Sequence, residues 1–155
     1  MVVENDFFNL EEIKKYNEGY RIINLVRLYK KVIERSQDEE HKLDMKIRIY
    51  ELLLDLPGLS DADREEYKIA KRKVNKKRKE IALFKLKEKI KWVKHYRALT
   101  WQFIADFLNC TYAEIYNFCH DPKIGLGIRA RRFLAINSFL ARYRPEEGWP
   151  SNLIN

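Results

Sequence analysis

The sequence predicts an all-α, multi-helix protein of five or six helices, and three observations lead there. Glycine and proline are scarce, 5 and 4 in 155 residues, so long stretches run without a strong helix breaker. Between Gly58 and Pro122 there is neither. Elsewhere apolar residues recur at intervals of three and four, the spacing of a helix that buries one face.

The first helix is expected at 10–35, where Ile13, Tyr16, Tyr20, Ile23, Val26, Tyr29 and Ile33 line one side. The polar SQDEE at 36–40 breaks it, with Ser36 or Asp38 placed to cap a second helix at 39–55. Leu43, Ile47, Tyr50 and Leu54 share a face there, and two such helices form an antiparallel hairpin, residues 1–57. After Pro57-Gly58, Ser60 stands three residues before Asp63, a start signal for a helix from about 61 to about 96. A helix of that length invites a break near 76–80. Its first half is basic, with a sparse stripe of Tyr67, Ala70, Val74 and Ile81; Leu83, Leu86, Ile90, Val93 and Tyr96 make a denser stripe in the second. Residues 58–98 thus read as a long central basic helix or linker helix.

Thr100 marks the next start. Helices at 101–108 and 111–119 meet at a tight Asn109–Cys110 connection, and Asp121-Pro122 stops the second, because proline disfavours helical geometry in the residue before it. A loop at 123–127 leads to a last helix at 128–143, with Phe133, Ile136, Leu140 and Tyr143 on one face. Residues 99–145 are then one domain, and 146–155 a tail in which Trp149 and Leu153 dock loosely.

Charge is unevenly spread. Residues 1–67 carry 11 Lys/Arg against 16 Asp/Glu, residues 68–97 carry 14 against 2, and residues 98–155 carry 6 against 5. Such a positive field gathers polyanions or the acidic surface of a protein partner. No apolar run approaches the ~20 residues of a membrane span, and the opening MVVENDFFNL lacks the basic start of a secretory signal, so a cytoplasmic protein without membrane contact is expected. Cys110, Cys119, His95 and His120 offer zinc-binding elements but no Cys-x-x-Cys pair, and no Gly-rich phosphate loop occurs. Neither metal, cofactor nor catalytic residue is expected.

The informative run is WQFIADFLNCTYAEIYNFCH, residues 101–120. Ile104, Ala105 and Leu108 give the first helix apolar residues, with a small one at the crossing. Asn109 suits a connection that needs left-handed backbone geometry. Thr111 can cap the next helix with Glu114 as its reciprocal partner, and Ile115 and Phe118 form its inner side. These are the requirements of a helix-turn-helix.

At Leu99, Thr100, Ile104, Ala105, Leu108 and Thr111 to Phe118 the chain resembles the helix-turn-helix superfamily of transcription regulators, particularly the small sigma-region-4-like and phage-encoded ones. The match covers about residues 99–120. It departs at Asn109, where glycine is usual, and its second helix holds no Lys or Arg. The resemblance implies double-stranded DNA binding in a bacterial or phage-infected cell. It implies a recognition helix in the major groove presenting Thr111, Tyr112, Ala113, Tyr116 and Asn117, with Asn117 the best base reader.

Phosphate contacts are expected from Thr100, from the basic run Lys71, Arg72, Lys73, Lys76, Lys77, Arg78 and Lys79, and from Arg129, Arg131 and Arg132. Operator readers commonly pair, which makes the acidic N-terminal hairpin a candidate homodimer face. The alternative is a protein or ribonucleoprotein partner, with the helix-turn-helix kept as a scaffold. Exposed tyrosines and the absence of basic residues in the second helix favour it.

Overall fold

The computed structural model describes residues 10–125 and 129–154, with side chains from Lys14 onward. The expectations for Ile13, for Ile128 and for 126–127 of the loop lie outside the described residues. The protein is all-helical: α1 (Leu10–Arg35), α2 (Glu39–Leu54), α3 (Asp61–Tyr96), α4 (Trp101–Leu108), α5 (Tyr112–His120) and α6 (Ala130–Arg142), then a short 3-10 turn, Ser151–Leu153. Among the described residues no helix is long and apolar enough to cross a membrane.

The helix ends follow from local chemistry. Asp38 caps α2, its carboxylate accepting from the amides of Glu40 and His41. The Ser60 hydroxyl oxygen accepts from the Asp63 amide at 3.1 Å and opens α3. The run then continues 36 residues without the interruption expected near 76–80. No proline removes an amide there, and no glycine frees the backbone.

Contacts divide the chain into two units, residues 1–78 and 79–155. The boundary falls within α3, whose first part groups with α1 and α2 and whose second groups with α4 to α6.

In the first unit, α1 and α2 pack together around Ile22, Val26 and Ile49, with Tyr29, Ile33, Leu52, Leu53 and Leu56 half-buried around them. The expected face of α1 is corrected over its N-terminal half. Tyr16 and Tyr20 are exposed and Ile22, not Ile23, is inside. On α2, Leu43 is buried as expected, but Ile49 is the residue in the cluster, with Ile47 and Tyr50 only half-buried.

The second unit has the larger core. Leu83, Leu86, Ile90 and Val93 of α3 meet Ile104 and Ala105 of α4, Ile115, Phe118 and Cys119 of α5, and Ile136, Phe139 and Leu140 of α6. Phe139 is completely buried and takes the place expected for Phe133, which is exposed; Tyr96 is exposed as well. The tail docks firmly rather than loosely. Leu153 is buried, Trp149 packs on the core, and the Lys89 ammonium lies 5.2 Å from the Trp149 ring centroid.

Two non-glycine residues hold left-handed backbone, Ala98 (φ 53°) and Asn109 (φ 55°). Each closes a helix with the paired bonds of a Schellman turn. Leu99 N–H reaches Lys94 O at 2.9 Å and Ala98 N–H reaches His95 O at 3.2 Å; Cys110 N–H reaches Ala105 O at 3.0 Å and Asn109 N–H reaches Asp106 O at 3.2 Å. Asparagine tolerates this geometry, but alanine pays roughly 1–2 kcal/mol for its Cβ. Ala98→Gly is therefore expected to stabilise the second unit by about 0.5–1 kcal/mol, read as a rise in thermal midpoint by calorimetry. An unchanged or lower midpoint would contradict the turn geometry. Phe139→Ala should cost about 3–5 kcal/mol by leaving a cavity at the centre of the core.

Candidate nucleic-acid interface

The connection between α4 and α5 decides what α5 shows to solvent. Thr100 caps α4 through its hydroxyl, which accepts from Phe103 N–H at 3.1 Å, and Thr111 does the same for α5 with Glu114 N–H at 3.1 Å. Between them the left-handed Asn109 turns the chain within two residues. α5 then presses Ile115, Phe118 and Cys119 into the core, and a helix period leaves Tyr112, Ala113, Tyr116, Asn117 and His120 exposed on its far side. Thr111 is exposed at the start of the same helix.

The carboxylate of Glu114 does not serve as the reciprocal half of a capping box. It pairs instead with Arg132 of α6, 2.5 Å away. This ion pair offsets the one carboxylate within α5. It also engages one of the three arginines expected to grip phosphate. Arg129 and Arg131 are exposed and have no ion pair among the described residues. A cleft of about 700 Å³ opens between α5 and α6, lined by Asn117, Glu114, Arg129 and Arg132 among others.

The aromatic arrangement on α5 was not foreseen. Tyr112, Tyr116 and His120 sit four residues apart and form a ladder. The tyrosine rings are parallel within 8° at 5.9 Å, and Tyr116 and His120 stack at 4.2 Å. Trp101 of α4 meets Tyr116 and His120 edge-on, at 5.8 and 5.4 Å, and the Lys94 ammonium lies 5.3 Å from the Trp101 ring centroid. His120 Nδ1–H donates to Tyr116 O at 2.7 Å, the carbonyl being able only to accept. The four-residue spacing of the three rings is visible in the sequence, but the contribution of Trp101 is not.

A buried lysine holds the far end of α5. The Lys87 side chain is buried, and its ammonium donates to Asp121 O at 2.8 Å and Ile124 O at 2.5 Å, over the Phe118 ring. Burial pushes its pKa down, against the opposing pull of Cys119 and Asp121. Burial likewise pushes the Cys119 thiol up to about 12 and raises that of Cys110. Among the described residues no group of three or more His, Cys, Asp or Glu gathers as a metal site would require.

The basic run of α3 is partly neutralised by α2. Lys71 lies 3.5 Å from Glu51, Lys77 lies 3.6 Å from Glu39, and Arg78 hydrogen-bonds Asp44, whose carboxylate holds the guanidinium above its usual pKa. No carboxylate occurs within 71–79 itself, so the partners were invisible until the two helices came together. Such part-exposed pairs are worth about 0–1 kcal/mol each. Arg72, Lys73, Lys76 and Lys79 are exposed and have no ion pair among the described residues. Lys68, Arg72 and Lys76, four residues apart, share one face of α3.

In comparisons with protein-family models, curated proteins and solved structures, nothing matches this chain.

Lys87→Met should destabilise the second unit by about 1–3 kcal/mol, since the carbonyls of Asp121 and Ile124 lose a charged donor at a part-buried site. Amide hydrogen exchange should show the 121–125 turn loosening first; uniform loosening of the unit would argue against this anchoring role. The raised thiol pKa values predict slow labelling of both cysteines near neutral pH, Cys119 the slower, with rapid reaction of both only on unfolding.

Proposed function

We propose that residues 101–120 form a helix-turn-helix and that the protein is a non-catalytic double-stranded DNA-binding protein, a transcription regulator of bacterial or phage type. The observation that carries this reading is the exposed face of α5. The left-handed turn at Asn109 and two threonine caps hold a short helix by one apolar edge, and Tyr112, Ala113, Tyr116 and Asn117 remain open to solvent. A major groove about 12 Å wide admits such a helix. Asn117 suits the adenine edge through its paired donor and acceptor. Thr111 and Thr100 have their hydroxyl oxygens engaged in capping, yet each O–H remains able to donate to phosphate. Arg72, Lys73, Lys76, Lys79, Arg129 and Arg131 supply affinity that depends on salt and not on sequence.

A second reading draws on the same face, which holds no Lys or Arg and exposes two tyrosines. That composition also suits a protein or ribonucleoprotein partner.

Binding to a randomised pool of duplexes at low salt, followed by selection, tests the first reading. A recovered sequence motif is expected, and Asn117→Ala should broaden it more than it weakens overall affinity. Replacing Arg72, Lys73 and Lys76 together with glutamine should weaken binding to every duplex. It should also reduce the slope of log affinity against log salt by about 2–3. No binding to any duplex at low salt would end the proposal.

A further inference from the structure

The geometry points to a further binding site: the exposed outer face of Tyr112 takes up an unpaired nucleobase, giving the protein a preference for DNA with an opened stretch over intact duplex. This deepens the DNA-binding reading of α5 and rests on it for the choice of nucleic acid as partner.

The argument starts from ring faces. Tyr116 is covered by Tyr112 on one side and by His120 on the other, while Trp101 closes the ladder edge-on at its C-terminal end. Tyr112 ends the ladder at the other side. The residue is 48% exposed, and among the described residues its only aromatic or cation contact is with the Tyr116 ring. The ring thus has Tyr116 on one side and no aromatic or cation contact on the other among the described residues.

Paired bases inside a duplex spend their own faces on neighbouring bases and offer only edges to a groove. An open ring face therefore finds its match in a base that has left the stack. A tyrosine side chain has only two torsions to fix, so little side-chain freedom is lost on binding.

Charge and polarity agree with this occupant. Residues 79–155 carry 13 Lys/Arg against 7 Asp/Glu, and Glu114, the one carboxylate within α5, is matched by Arg132. Lys94 lies beside the ladder at Trp101. Thr111 and Asn117, both exposed, flank the tyrosines with groups that hydrogen-bond a base edge or a phosphate. An apolar protein partner would favour apolar neighbours around the tyrosines, whereas the exposed Thr111 and Asn117 beside them are polar.

The test uses the full chain and three labelled probes: a short duplex, the same duplex with a central mismatched bubble, and the single strand, with 2-aminopurine in the unpaired stretch. The expected result is roughly 10- to 100-fold tighter binding of the bubble than of the duplex, from stacking of one base. Quenching of 2-aminopurine fluorescence on binding should accompany it. Tyr112→Ala should bring the ratio of the two affinities close to one, while Tyr112→Phe, which keeps the ring, should retain it. Circular dichroism of each variant checks that α5 still forms.

Equal binding of bubble and duplex overturns the inference and leaves duplex recognition standing. Binding of bubble and single strand without the intact duplex upholds the inference and overturns duplex recognition. A Tyr112→Ala variant that keeps the preference overturns the inference. So does binding of no probe, which would remove the duplex reading as well and favour a protein partner.

Discussion

Everything that α5 can offer a partner depends on the backbone reversal at Asn109. In two residues the chain leaves α4, satisfies the last carbonyls of that helix through the Asn109 and Cys110 amides, and enters α5 under the Thr111 cap. A right-handed backbone at Asn109 would send α5 elsewhere, and Ile115, Phe118 and Cys119 would lose the core that α3, α4 and α6 provide. The exposed face is defined by what this turn buries. A second left-handed turn at Ala98 does the same service between α3 and α4, there at the cost of an alanine in a conformation that favours glycine.

Electrostatic balance is handled by tertiary neighbours in both units. The basic run of α3 meets Glu39, Asp44 and Glu51 of α2, which leaves Arg72, Lys73, Lys76 and Lys79 as the exposed cations of that stretch with no ion pair among the described residues. In the second unit Arg132 answers Glu114. Lys87 is the unusual case. A buried ammonium is costly, and here two carbonyls and an aromatic face offset that cost while the ammonium fastens the turn that follows α5. α5 is thereby held at both ends, by a threonine cap at one and by a lysine from α3 at the other.

The sequence by itself determined the helical class, the six helix positions to within about two residues at most ends, and the caps at Ser60, Thr100 and Thr111. For α2 it left Ser36 and Asp38 as alternatives, of which Asp38 is the cap. It also determined the left-handed Asn109. These depend on interactions within a few residues along the chain, where side-chain type and spacing are sufficient. The dense stripe of α3 was legible for the same reason, since four apolar residues in register leave one choice of buried face.

Tertiary structure alone decided which way the weaker stripes turned and which charges remained available. On α1 and α6 apolar residues occur on more than one face, so periodicity could not choose Ile22 over Ile23 or Phe139 over Phe133; packing against a neighbouring helix did. The partners of Lys71, Lys77, Arg78 and Arg132 lie on other helices, between 18 and 38 residues away in sequence, and no local rule reaches that far. The carbonyl partners of Lys87 lie 34 and 37 residues further along the chain, so its anchoring role exists only once the turn after α5 reaches it. Trp101 joined the tyrosine ladder only because the Asn109 turn brings the start of α4 beside the end of α5. Local chemistry sets where a helix begins and ends, and only long-range contact sets which of its faces, and which of its charges, are left for a partner.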